Sequence, residues 1–509
     1  VRSLRDLLFA NPRIDADRIA IVAGQRRISF GDLKRRVAAV AGALRREGVN
    51  PGDRVAVLLE NKPEFVETYF AVTGIGAVFV PLNWRLHPNE HRVLMQDSEP
   101  KVLITDPSFG STIQVARDDV PSIRRIVVVD DACNEAVRFA DWSAETSEMP
   151  DDSSLGPETG AAILYTSGTT SRPKGVFLSH GNYLADISNV TAEIKPEQGD
   201  VNLQLSPLYH AACVHSLVHL ASGATTVLEQ RFDPRTALEL IERERVTYFF
   251  AVPTMLYQIM DHPEFGRFDL SSLKTISYGA AAITGARLRE ALDAFGPKLI
   301  HAYGLTESTS HCSILRAEEH ALAAGSIGRG LAGVEVRVVD SESRPCPPRE
   351  VGEIIARGAN VMMGYWRNPE LTAETIVDGW LRTGDLGTTD ERGFVYVVDR
   401  KKDLVISGGV NIYPREVEEV ISTHPAVAEV ATFGIPDELW GEALMAAIVV
   451  RSGASVSKEE IIEMCRSRLG GYKVPKRIEL VAALPRNPSG KILKTELRKR
   501  FAPTESAAH

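Results

Sequence analysis

At 509 residues the chain has length for about two to four domains and an ample core. Hydrophobic residues make up 44% and charged residues 25%, the balance of a folded globular protein. A formal net charge of -9 argues against a general nucleic-acid binder, and five scattered cysteines without a Cys-x-x-Cys pair argue for reduced thiols in a cytoplasm.

Residues 1–10 hold no apolar core of signal-peptide length, and Val1 in place of Met points to a processed, trimmed or alternatively initiated start. Residues 29–32 open a helix with Leu33, Val37, Val40, Ala41 and Leu44 on one face and Gly48 as its stop. Residues 54–60 read as a buried strand, and Pro63 suits a first helical position. Two long uncharged runs, 68–84 and 201–228, are interrupted by Gly and Pro; neither reads as a membrane span, which leaves peripheral membrane contact open. Strand patterns at 101–105, 126–129 and 246–251 alternate with helical ones such as 234–244, the signature of α/β layers with mostly parallel sheets. Residues 130–158 read as a polar, irregular connection. After about Arg400 the order becomes helix 414–422, strands 427–433 and 443–450, helix 458–469 and strand 478–481, a small α+β unit.

The apolar run 161–165 leads into Thr166-Ser-Gly-Thr-Thr170, and Pro173, Lys174 and Gly175 follow. Thr166, Ser167, Thr169 and Thr170 supply short hydroxyl donors, Gly168 admits close backbone approach, and Lys174 adds a point charge. Those are the needs of a polyphosphate, although the spacing is not that of a Walker loop. Other short motifs follow in order: Pro207-Leu-Tyr-His210, Ser277-Tyr-Gly-Ala-Ala281, Tyr303-Gly-Leu-Thr-Glu307, Thr383-Gly-Asp385, Asp399-Arg-Lys-Lys-Asp403 and Asn487-Pro-Ser-Gly-Lys491. Each alone reads as a turn or a solvated charge. His210, Cys213, His215 and His219 cluster, but without an acidic ligand or a His-Glu-x-x-His pair, helix packing explains them better than zinc.

Together these motifs, from about Ser29 to Lys491, resemble the signatures of the adenylate-forming superfamily: acyl-CoA synthetases, luciferases and peptide-synthetase adenylation domains. The resemblance implies an α/β fold. Its N-terminal domain, 1–399, would hold two layered, mostly parallel α/β subdomains and a small β-barrel-like one; a mobile α+β lid, 400–509, would follow. It implies that Tyr303 stacks on adenine opposite Gly279, Ala280 and Ala281, that Thr306 lies near the α-phosphate, and that Glu307 holds Mg²⁺. Asp385 is expected on the ribose hydroxyls with Arg400 beside it, and Lys491 on both the substrate carboxylate and the α-phosphate. Tyr209 and His210 would gate the acid, with Val252, Met255 and Tyr278 in an acyl pocket that includes Ala280 and the region after Glu307. Lys402 would be the hinge, and Gly408 and Gly409 would line the path of CoA after the lid rotates. The expected reaction is ATP-dependent joining of an apolar monocarboxylic acid, aliphatic or aromatic, to CoA through an acyl-AMP. A carrier-protein loader, an oxidative luciferase and an inactive nucleotide-binding homologue are the alternatives.

Overall fold

A computed structural model describes residues 1–130, 136–145, 148–150, 154–166, 173–210, 213–486 and 492–501. The helix Phe30–Arg46 forms as its spacing predicts. Ser29 caps it by accepting from the Asp32 N–H, and Leu33, Val37, Val40, Ala41 and Leu44 are all buried. Gly48 turns the chain away at φ 73°.

Two large sheets dominate the N-terminal part. One has nine strands and a parallel centre that includes Val201–Gln204, Tyr248–Ala251, Thr275–Gly279 and Leu299–Tyr303. The other has eight, with Arg54–Leu58, Val78–Pro81, Val102–Thr105 and Arg125–Val128 parallel and the hairpin Gly160–Thr166/Lys174–Ser179 at one side. Both faces of these sheets are covered, so the strands are apolar along their length; the strand Tyr248–Ala251 is wholly buried. An antiparallel five-stranded sheet follows, built on Val334–Val339, Gly352–Gly358, Trp380–Thr389 and Val395–Arg400.

The smaller C-terminal domain is a second five-stranded sheet packed with the helices Pro414–Ser422 and Lys458–Arg468. The helix-strand-strand-helix-strand order holds, but an unexpected hairpin, Val405–Ser407 and Val410–Ile412, precedes it. The 130–158 connection also differs from its polar reading: Phe139–Trp142 forms a short helix whose end residues are buried, with the Trp142 indole N–H donating to Glu47 at 3.2 Å. No helix among the described residues is long and apolar enough to cross a membrane.

Candidate active site

Three neighbouring parallel strands, Tyr248–Ala251, Thr275–Gly279 and Leu299–Tyr303, end on the same side. A cavity of about 1900 Å³ opens at those ends and is bordered by Phe250, Val252, Ala280, Ala302 and Gly304. The carboxyl edge of a parallel sheet is where such crevices form. Gly279 has no room for a side chain, because a Cβ would collide with the Ala302 carbonyl on the next strand. Ala280 follows in the left-handed region at φ 63° and faces the cavity; Ala281 is half-buried beside it. From the other sheet, Thr166 pairs across the hairpin with Lys174, and both reach the same cavity. Ser167, Gly168, Thr169 and Thr170 lie outside the described residues.

Opposite this hairpin, the Tyr303 hydroxyl donates to one oxygen of the buried Asp385 at 2.8 Å, and Arg400 Nε lies 3.1 Å from the other. Burial first, then the Asp385 charge, pushes the Tyr303 phenol well above its ordinary range, so it stays a donor. The exposed wall here is Gly304, Thr306 and Arg400 rather than Tyr303 and Asp385. Both Asp385 carboxylate oxygens thus have a protein partner, each with lone-pair capacity to spare.

Thr306 and Glu307 occupy a single 3-10 turn at the cavity. The Tyr365 hydroxyl donates to Glu307 Oε1 at 2.8 Å, and the Met362 N–H donates to the Glu307 carbonyl at 2.8 Å. Glu307 Oε2 has no hydrogen-bond partner among the described residues. One oriented carboxylate with a free oxygen beside a phosphate-sized space fits Mg²⁺, which takes one or two carboxylates plus substrate phosphates and water.

Tyr209, His210, Val252 and Met255 also line the cavity, with the Tyr209 and His210 rings 4.3 Å apart. Burial, and then the Arg85 charge, lowers His210 to about 4. It is therefore neutral near pH 7 and lines the cavity as a polar ring, not a cation. Tyr278 does not belong to this wall. Its strand turns it to the opposite face, where it is fully buried, stacks on its cross-strand neighbour His301 at 4.6 Å and bonds His320 Nε2 at 3.1 Å. His215 and His219 serve packing: Tyr248 Oη lies 2.7 Å from His215 Nδ1, and His219 Nδ1 bonds the His215 carbonyl at 2.7 Å.

The segment after Glu307 is more polar than the sequence reading held, since Ser310 and His311 both line the cavity. An arginine enters as well. Arg287 stacks over Tyr257 at 4.4 Å and pairs with Asp261 and Glu290, so its charge is already committed.

The C-terminal domain closes part of the cavity with Lys401, Lys402, Glu429, Arg451 and Arg486. Lys402 sits in the turn Lys401–Asp403 between the two five-stranded sheets. Gly408 and Gly409, at φ 58° and 80°, form the exposed tip of the hairpin Val405–Ser407/Val410–Ile412, and the Gly408 N–H donates to the Trp440 carbonyl at 2.8 Å. Neither glycine borders the cavity in this pose. Lys491 lies outside the described residues.

Residues 8–366 match the family described as AMP-binding enzyme, and residues 416–491 match the AMP-binding enzyme C-terminal domain. The chain belongs to the adenylate-forming enzymes. It is 39% identical over 492 residues to a feruloyl-CoA synthase of Amycolatopsis sp, covering 96% of this chain and 97% of that one. It is 35% identical over 492 residues to an indoleacetate–CoA ligase of Aromatoleum aromaticum, with 96% of each chain covered. The solved amide bond synthetase McbA from Marinactinospora thermotolerans superposes with a TM-score of 0.90 at 31% identity, covering 98% of this chain and 99% of that one.

In this adenylate-forming enzyme several contributors to the site carry no local sequence signal. Asn61 donates to the carbonyls of Ser206 (3.1 Å) and Glu229 (3.0 Å) and accepts from the Leu208 N–H (2.7 Å). It thereby pins the loop that carries Tyr209 and His210. Asn360 donates to the carbonyls of Ser308 and His311 and fixes the turn after Glu307. Tyr365 lies 58 residues from the carboxylate it orients. Only tertiary proximity reveals such partners.

Proposed function

We propose that the chain is an AMP-forming carboxylic acid–CoA ligase acting on an apolar, most favourably aromatic, monocarboxylic acid. The observation that carries this reading is one cavity lined by two chemically different sets of residues. Lys174, Thr306, Glu307 and Arg400 are polar or charged, with Lys174 over the Tyr365 ring whose hydroxyl bonds Glu307; Tyr209, Val252 and Met255 are largely apolar, with Val252 and Met255 packed with Phe250. Feruloyl-CoA and indoleacetate–CoA ligases among the relatives support an aromatic acid.

In the first step a carboxylate oxygen attacks the α-phosphorus of ATP, and pyrophosphate leaves with the electrons of the broken P–O bond. Lys174 and Lys491 offset the negative charge that develops, and Thr306 donates to an α-phosphate oxygen. Mg²⁺ held by Glu307 supplies further neutralisation of the phosphates. Arg400 and Tyr303 hold Asp385 in one orientation, from which it would meet the ribose hydroxyls. In the second step the lid turns about Lys402, the CoA thiol attacks the acyl carbonyl, and AMP leaves. A reduced cytoplasm suits the scattered cysteines.

Incubation with ATP, CoA and a mixed panel of aryl, medium-chain, dicarboxylic and amino acids tests the reading. CoA-dependent AMP release should be highest with apolar monoacids. A dicarboxylate or amino acid at the top of the kcat/KM ranking would contradict the substrate class.

A further inference from the structure

A buried polar pair that the ligase chemistry leaves unused lies near Phe250 and Val252: the His311 ring is 5.0 Å from His215, which stacks on Phe250 at 4.7 Å. His311 is 1% exposed and Asp186 is fully buried, yet His311 forms part of the cavity wall. Asp186 holds it twice: His311 Nδ1 lies 3.0 Å from Asp186 Oδ2, and the His311 N–H donates to Oδ1 at 3.3 Å. The ring is therefore locked in one orientation, with Nδ1 spent inside the protein. Its other nitrogen, Nε2, has no hydrogen-bond partner among the described residues. A polar nitrogen kept there at the cost of burying a carboxylate is unfavourable for a wholly apolar ligand, because desolvation would go uncompensated.

We infer that His311 is a specificity-determining residue: its Nε2 recognises a hydroxyl on the acid substrate, and Asp186 is the positioning residue that holds the ring for it. This rests on the ligase reading and narrows its substrate to a hydroxylated acid. The choice of hydroxyl follows from the pair's two proton arrangements. With the ring proton on Nδ1 and donated to Asp186, Nε2 accepts. With one further proton on the pair, Nε2–H donates. A hydroxyl both donates and accepts, so it satisfies either state; a methyl or a ring edge satisfies neither. Burial raises the Asp186 carboxyl while His311 pulls against it. A site built to bond a hydroxyl discriminates strongly against the analogue lacking it.

The test compares 3-phenylpropenoic acid with its 2-, 3- and 4-hydroxy isomers, and octanoate with 8-hydroxyoctanoate, as kcat/KM for thioester formation. Wild type should favour at least one hydroxylated acid over its parent by about tenfold or more. In His311→Leu that preference, read as the ratio of kcat/KM for the hydroxylated acid to its parent within the same enzyme, should fall to within about threefold. Should His311→Leu fail to fold because Asp186 is left unpaired, the double variant Asp186→Ala/His311→Leu removes both buried polar groups together and should show the same loss. Wild type without preference for any hydroxylated acid overturns the assignment and leaves the ligase reading standing. A preference that survives in the variants also overturns it. If none of these acids is thioesterified, the ligase reading falls and this inference with it.

Discussion

In the proposed first step Glu307 and Lys491 would divide the charge management between an anion and a cation. The Glu307 carboxylate is aimed by the Tyr365 hydroxyl at 2.8 Å. Removing that hydroxyl should leave the charge but loosen its direction. Tyr365→Phe should therefore raise the Mg²⁺ concentration for half-maximal rate several-fold with the acid KM unchanged, and Glu307→Gln should raise it further. A Mg²⁺ dependence identical to wild type in both would remove Glu307 from the metal site. Lys491→Ala should abolish acyl-AMP formation yet still convert supplied acyl-AMP and CoA to thioester. Equal loss of both half-reactions in a folded variant would refute the assigned role. Thr306, Glu307 and Lys174 were legible in the sequence because short motifs carry them. Tyr365, Asn61 and His311 were not, since each acts on a partner far away in the chain. Tyr278 was misread for a related reason: the motif identified its strand but not which face the side chain takes, and pairing with His301 decides that.

At the level of elements, the strand ends of the parallel sheet border the cavity, and the tip of the hairpin Val405–Ser407/Val410–Ile412 does not. Gly409 has open space around it, but its φ of 80° strains any other residue by about 1 kcal/mol. Gly409→Leu should therefore leave pyrophosphate release in a single turnover near wild type while transfer of acyl-AMP to CoA collapses. Retained transfer would show that this hairpin does not line the thiol's path after rotation. The strand pattern itself was readable because fully buried parallel strands are continuous apolar runs, as at Tyr248–Ala251. The hairpin Val405–Ser407/Val410–Ile412 was not, because two three-residue strands around Gly-Gly give no periodicity to read.

Across the whole molecule, buried histidines set the response to acid. His180, His210, His219 and His301 are lowered to about 4, His215 well below its ordinary value, and His91 and His320 are lowered too, in each case chiefly by burial. Between about pH 6.5 and 4 the unfolded chain binds these protons and the fold does not, so their effect is to lower stability as pH falls through that window. Four buried carboxyls act the other way. Glu67 is raised to about 7 and Glu229 to about 8, with Asp186 and Asp399 raised as well, and the stability they add at low pH is lost as pH rises. Seven histidines outweigh four carboxyls, and each net proton is worth about 1.4 kcal/mol per pH unit. The urea midpoint should be clearly lower at pH 5 than at pH 7; an equal or higher midpoint at pH 5 would contradict this balance.

One cavity serving two successive reactions is the core of the proposed mechanism, and a single-turnover experiment with enzyme in excess over ATP examines it directly. With an accepted acid and no CoA, one pyrophosphate per ATP should appear while the acyl group and AMP stay joined on the protein. Adding CoA should then discharge that complex as equal amounts of acyl-CoA and AMP. Pyrophosphate that appears only once CoA is present, or ADP and phosphate in place of AMP and pyrophosphate, would contradict the two-step mechanism.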